Sequence, residues 1–209
     1  MPARKKRGQI SLEFMLVFGI MLLMLVYSIN NASFKSGSSS AQTLQLQVLL
    51  EEKGVANVIA GAIDQVYSQG PGSKVTVYAH FDLLRNEYYL KKAFGYSLPV
   101  VNITLLGGGS PLLPAGSTGG VVLVGVNQVN STPVVAGTNK TAVEVRTFYP
   151  YNGTSMSLVF YPAEVSSTPH ISDIPPTMKV VVQWNPDQAP SLVFNSTTGT
   201  LYININPGG

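Results

Sequence analysis

From Ile10 to Ile29 the chain runs for twenty residues with only three strongly polar side chains, Ser11, Glu13 and Ser28. A helix of that length, rising ~1.5 Å per residue, reaches ~30 Å, about the thickness of a bilayer's hydrocarbon core. It has no continuous polar face to turn to water, so it must be surrounded by lipid or by other apolar helices. Arg4, Lys5, Lys6 and Arg7 stand directly before it, followed by Gly8, and Lys35 is the one cation shortly after it. That asymmetry holds the N-terminus in the cytoplasm and places the chain beyond Ile29 outside.

A basic region followed by an apolar core is also the form of a cleaved secretory peptide. Two details oppose that reading. Glu13 sits at the start of the apolar core, and Asn30-Asn31-Ala32-Ser33 stands where a small-x-small cleavage site is wanted. An uncleaved signal anchor fits the length but leaves Glu13 unexplained, since a carboxylate at the centre of a membrane helix costs ~2.5–3.5 kcal/mol on insertion scales. Near a helix end it can snorkel, and the cost falls.

The same basic cluster accounts for the chain's charge. The formal net charge is +3, but the four leader cations are four of 13 basic residues, and beyond Gly8 nine bases face ten acids. The basic balance therefore does not point to nucleic acid. With only 11% charged residues against 45% hydrophobic, the rest is poor in the ionic surface that keeps domains apart, and something else should cover it. Cysteine is absent, which excludes a disulfide framework, a thiolate nucleophile and a cysteine metal site. A length of 209 residues suits one folded head with an anchoring element.

Lys6-Arg7-Gly8-Gln9-Ile10-Ser11-Leu12-Glu13-Phe14 resembles the class III signal peptide of archaeal type IV pilins, in which a basic leader ends in glycine and a Gln-x-Ser-x-Glu run opens the mature helix. The resemblance covers about the first thirty residues. It implies that a membrane prepilin peptidase cuts between Gly8 and Gln9, discarding residues 1–8 and leaving the apolar helix on the mature protein. Cleavage creates an amine on Gln9, one helical turn from Glu13, so that an acid and an amine face each other at i and i+4. In the family this glutamate pairs with the terminal amine of a neighbouring subunit, and a buried charge without such a partner is expensive. N-terminal glutamine can also cyclise and lose its charge.

After the polar patch Ser36–Ser40, Leu44, Val48, Val55, Ile59, Ala62 and Val66 recur at helical spacing and mark one apolar face up to about Ser68. The patch reads either as a break in one long helix over residues 9–69 or as a polar turn within it. Gln69-Gly70-Pro71-Gly72 ends the helix. From Lys74 the period changes to two. Short β-rich runs occupy Lys74–Tyr78, Val100–Leu106, Val121–Val126, Ala142–Phe148, Ser157–Tyr161, Met178–Trp184, Ser191–Phe194 and Leu201–Ile205, separated by Gly, Pro and Asn turns. Asp82–Phe94 fits a short helix as well as a strand. The expected class is α+β: a long N-terminal apolar helix, with its span at residues 10–29, followed by an antiparallel β-sandwich-like head over residues 70–209.

Six Asn-x-Ser/Thr sequons occur, at Asn31, Asn102, Asn130, Asn139, Asn152 and Asn195, where composition alone gives about two. They read either as ordinary loop composition or as a glycosylated exterior that supplies the missing solvation. His80 and His170 stand far apart with no acids at ligand spacing, Gly107-Gly108-Gly109 lacks the Lys-Ser/Thr of a phosphate loop, and no nucleophile has a base beside it. No metal, cofactor or catalytic role is expected. Tyr88, Tyr89, Tyr96, Phe148, Tyr149, Tyr151, Phe160 and Tyr161 form aromatic pairs or near-pairs, more often used for core and inter-subunit packing than for binding sugars or surfaces.

The leading expectation is a structural subunit of a type IV pilus-like surface filament, serving adhesion or attachment. Its partners are the membrane before assembly, the prepilin peptidase and pilus assembly machinery, and other pilin subunits. A membrane-anchored, pilin-like surface binding protein that does not polymerise is the alternative. An anchored extracellular hydrolase has the least support.

Overall fold

The computed structural model describes residues 6–32, 38–107, 119–130, 141–150 and 155–207, with the side chains of the first helix described from Glu13 to Ile29. The first helix, α1, covers Lys6–Ala32, and a second, α2, covers Ser39–Gln69. α2 begins afresh: Ser38 is extended and its hydroxyl accepts a hydrogen bond from the Ala41 amide at 3.2 Å, meeting one of the donors a helix start leaves open. At the other end Gly70 takes a positive φ of 89° and donates its amide to the Val66 carbonyl, so the Gly-Pro-Gly stop ends the helix where expected.

The apolar stripe of α2 is the spine of the head. Leu44, Val48, Val55, Ala56, Ile59, Ile63 and Val66 are buried in one continuous core with residues of both sheets. One sheet has the strand order β1-β6-β8-β7, built from β1 (Lys74–His80), β6 (Thr177–Trp184), β8 (Thr200–Ile205) and β7 (Ser191–Asn195). The other has the order β4-β3-β2-β5, from β4 (Ala142–Arg146), β3 (Val121–Gln128), β2 (Pro99–Leu106) and β5 (Ser155–Phe160). α2 touches β1 and β6 of the first sheet and β3 and β4 of the second. Away from α2 the sheets meet at β5 and β7, where Phe160 and Phe194 pack edge to face with centroids 5.1 Å apart.

All eight β-rich runs form strands, but the head is not wholly antiparallel. β6 and β8 pair in parallel, Lys179 opposite Thr200 through Trp184 opposite Ile205, and the β7–β8 hairpin folds back so that β8 lies between β6 and β7. Burial gives the reason. Leu201, Ile203 and Ile205 of β8 are fully buried and need a neighbour on each side, whereas β7 is only partly covered and tolerates the edge.

In the second sheet Val101, Ile103, Leu105, Val122, Val124 and Val126 face the main core, while Leu106, Val121 and Leu123 form a second small cluster on the opposite face. Burial on both faces is why β2 and β3 read as nearly unbroken apolar runs. The segment left open between helix and strand resolves into α3, Glu87–Phe94. It is capped by the Asn86 side chain at its start and by left-handed Gly95 at its end, with Glu87 and Lys91/Lys92 suited to the helix dipole.

Candidate functional site

The signal junction lies at the start of α1. Arg4 and Lys5 fall outside the described residues, and Lys6, Arg7, Gly8 and Gln9 belong to the helical backbone of α1. A peptide bond held in a helix must unwind before it can be hydrolysed, and glycine is ~1 kcal/mol poorer than alanine at holding that conformation. Gly8 therefore puts the weakest helical position next to the expected cut.

Beyond the junction the side chains of α1 are turned outward on every side. Phe14 is 69% exposed and Leu23 72%, and fourteen large apolar residues between Phe14 and Ile29 are classed as exposed. Glu13 is exposed too, and among the described residues it has no hydrogen-bond or ion-pair partner. Phe14 and Phe18 stack one turn apart at 6.3 Å. Among the described residues no helix is long and apolar enough to cross a membrane.

Three of the six sequon asparagines have described side chains. Asn130 is exposed in the turn after β3, at a left-handed φ of 61°, and Asn195 is exposed at the end of β7, where its side-chain oxygen accepts from the Thr198 amide at 3.2 Å. Asn102 is different. It lies half-buried in central strand β2, opposite Gly125 and Val159, and its side-chain oxygen is buried without a hydrogen bond. The Asn31 side chain, Asn139 and Asn152 lie outside the described residues.

The structure also separates the other sequence candidates. His80 is exposed with its ring Nδ1 3.2 Å from the Thr177 hydroxyl, and the His170 amide donates to Asp173 at 2.8 Å in a single 3-10 turn, Ile171–Asp173. Among the described residues no three metal-ligating side chains converge. Tyr149 and Phe160 are fully buried, with the Tyr149 hydroxyl accepting from the Asn206 amide, while Phe148, Tyr88 and Tyr89 are exposed. Tyr151 and Gly108–Pro111 lie outside the described residues.

Two adjacent acids on α2 were not singled out in the sequence. Glu51 reaches the loop after β1 and accepts from the amides of Asp82, Leu83 and Leu84 at 2.8, 2.8 and 3.1 Å, tying that loop to the helix. Glu52 points the other way. It is fully buried, neither carboxyl oxygen has a hydrogen-bond partner, and burial, with a smaller contribution from the Glu51 charge, pushes its pKa from 4.5 up to about 9. It is a neutral acid in an apolar stripe at ordinary pH. The spacing 48, 52, 55, 59 was the signal that could have placed it there.

The class III signal peptide family model matches residues 6–31, the leader end and most of α1. No curated protein and no solved structure matches the chain. Over residues 6–31, therefore, the chain is similar to the class III signal peptides of type IV pilin-like proteins. The match ends at residue 31, before α2 and the sheets.

Proposed function

We propose that the chain is a structural subunit of a type IV pilus-like surface filament of archaeal type. In this reading it is inserted in the membrane through residues 10–29, cut between Gly8 and Gln9, and assembled through α1 with the head outside. The observation that carries the proposal is the apolar surface of α1, bare on all sides directly after a class III signal junction. At ~1.5 kcal/mol or more for each fully buried large side chain, covering fourteen such residues is worth about 20 kcal/mol before the costs of association. Lipid supplies that cover first, and neighbouring helices supply it in the filament.

Glu13 gives the assembly its register. An exposed carboxylate without a partner is tolerable at a helix end near water, but it is costly inside a helix bundle unless an amine meets it. The new α-amino group of Gln9, on the same or a neighbouring subunit, has the right charge. The two sheets around α2 act as a sandwich-like head, and glycans on exposed turns such as Asn130 and Asn195 supply the solvation that the scarce charges do not. The role is structural and adhesive rather than catalytic.

The test is negative-stain microscopy of sheared surface material, with the subunit identified by mass. Filaments containing this chain are expected, with their yield falling strongly in Glu13→Ala. Processed protein that stays in the membrane and never appears in filaments would instead make the chain a non-polymerising surface binding protein.

A further inference from the structure

The sheet made of β1, β6, β8 and β7 turns one face to the core and the other away from it. Val180, Val182, Leu201 and Ile203 are buried in the core, so the side chains between them lie on the outward face. Thr76 stands opposite Val181, Val181 opposite Tyr202, and Tyr202 opposite Val193, a row that crosses all four strands. The next row runs Tyr78, Lys179, Thr200, Asn195. Tyr78 is 58% exposed, Val193 55% and Tyr202 42%, and Lys179 is the one charged residue of the two rows. The face is an open surface of aromatic and aliphatic groups with little charge to hold water.

Asn195 stands at the corner of that surface. Val193 lies two residues before it on the same strand face and Tyr202 lies diagonally across the β7–β8 pair, each about 7–8 Å away. The Asn195 side-chain oxygen is held by the Thr198 amide, while among the described residues its Nδ2 group makes no hydrogen bond. Thr197, which completes the sequon, is exposed in the turn over residues 196–199, and among the described residues its hydroxyl is likewise unengaged.

The sequon at Asn102 is built the opposite way. Ile103 is buried in the core, and Thr104 is buried with its hydroxyl 2.9 Å from that of Ser157. A transferase that must grip both the asparagine amide and the hydroxyl two residues on can take Asn195 and Thr197 from the folded surface. To take Asn102 and Thr104 it would have to pull a central strand out of its sheet.

We infer that Asn195 carries a saccharide and that the first sugar ring lies down over Val193 and Tyr202. The donor is a saccharide held on a polyprenyl phosphate in the membrane. Nδ2 of Asn195 bonds to the anomeric carbon, the bond from that carbon to the phosphate oxygen breaks, the lipid phosphate leaves with the electron pair, and the amide gives up one proton. A pyranose has an apolar C–H face, and resting it against the valine methyls and the exposed part of the tyrosine takes apolar surface out of water while the hydroxyls stay in it. The modification requires the head to lie outside the cell, as proposed, and does not require assembly.

The full chain is isolated from its own cells, solubilised in detergent and mapped by peptide mass. The same material is treated with tetranitromethane, which nitrates accessible tyrosines, with exposed Tyr88 of α3 as the reference. Thr197→Ala removes the sequon and leaves Asn195 and its bond to Thr198 in place. The expected result is a sugar mass on Asn195, none on Asn102, and nitration of Tyr202 relative to Tyr88 slowed about fivefold or more compared with Thr197→Ala. A bare Asn195 overturns the inference, and so does a modified Asn195 with Tyr202 nitrated equally fast in both proteins. Sugar on Asn130 with Asn195 bare sinks this inference alone, whereas a chain bare at both also removes the glycosylated exterior.

Discussion

Replacing Glu52 by glutamine should change how the stability of the head depends on pH. In the folded chain the Glu52 carboxyl titrates near 9, and in the unfolded chain near 4.5. Between those values the folded state holds a proton that the unfolded state has lost, so stability falls as pH rises, by about 1.4 kcal/mol per pH unit. The contribution is fully favourable below pH 4.5, has cost about 3 kcal/mol by pH 7, and stops falling above pH 9. Glu52→Gln does not titrate and loses this slope. Its buried amide also lacks partners, which shifts its stability by a constant and leaves the slope untouched. The assay is denaturant unfolding of the detergent-solubilised full chain at pH 5, 6, 7 and 8, followed by far-UV circular dichroism. The gap in stability between variant and wild type should move in the variant's favour by about 3–4 kcal/mol across that range. Parallel curves for the two proteins would refute the placement of a neutral acid in the core.

Other substitutions test the packing more locally. Glu51→Ala removes the acceptor of three amides at Asp82–Leu84 and should cost about 2–4 kcal/mol in unfolding free energy, with the loop showing the earliest gain in hydrogen exchange. At Gly125 a Cβ would stand 2.5 Å from the Ala142 Cβ, so Gly125→Ala should lower stability by about 1–3 kcal/mol, read by thermal melting. Asn204→Ala removes the Asn204 bonds to the 185–189 loop, leaving only those from Asn206, and should cost about 2–4 kcal/mol while raising exchange in that loop. Gly8→Phe should block processing, seen as retention of the precursor mass.

The local part of this fold was legible along the chain. The apolar face of α2, its Gly-Pro-Gly stop and all eight strands follow from periods and turn residues, which neighbouring positions carry. The partnering of strands does not: the parallel β6–β8 pair is decided by which strand most needs burial on both edges, and that depends on contacts made across the whole head. The ambiguous 82–94 segment was settled by a distant residue, since Glu51 fixes the loop that precedes α3. Glu52 lay on the apolar stripe by spacing and was hidden by its polarity. The outward face that sets Asn195 beside Tyr202 and in line with Tyr78 joins β1 to β7, and no pattern along the chain connects them. The class III signal segment, by contrast, was legible in the sequence, because its pattern is carried by neighbouring residues within 6–31.

The central claim is that residues 1–8 are removed and that the apolar helix is kept and carried into a filament. Intact mass and N-terminal sequencing of this subunit, taken from sheared surface filaments, test it directly. The expected mature chain begins at Gln9, with its amine free or cyclised. A chain that still carries Arg4–Gly8, or that begins after Ile29, would contradict the claim.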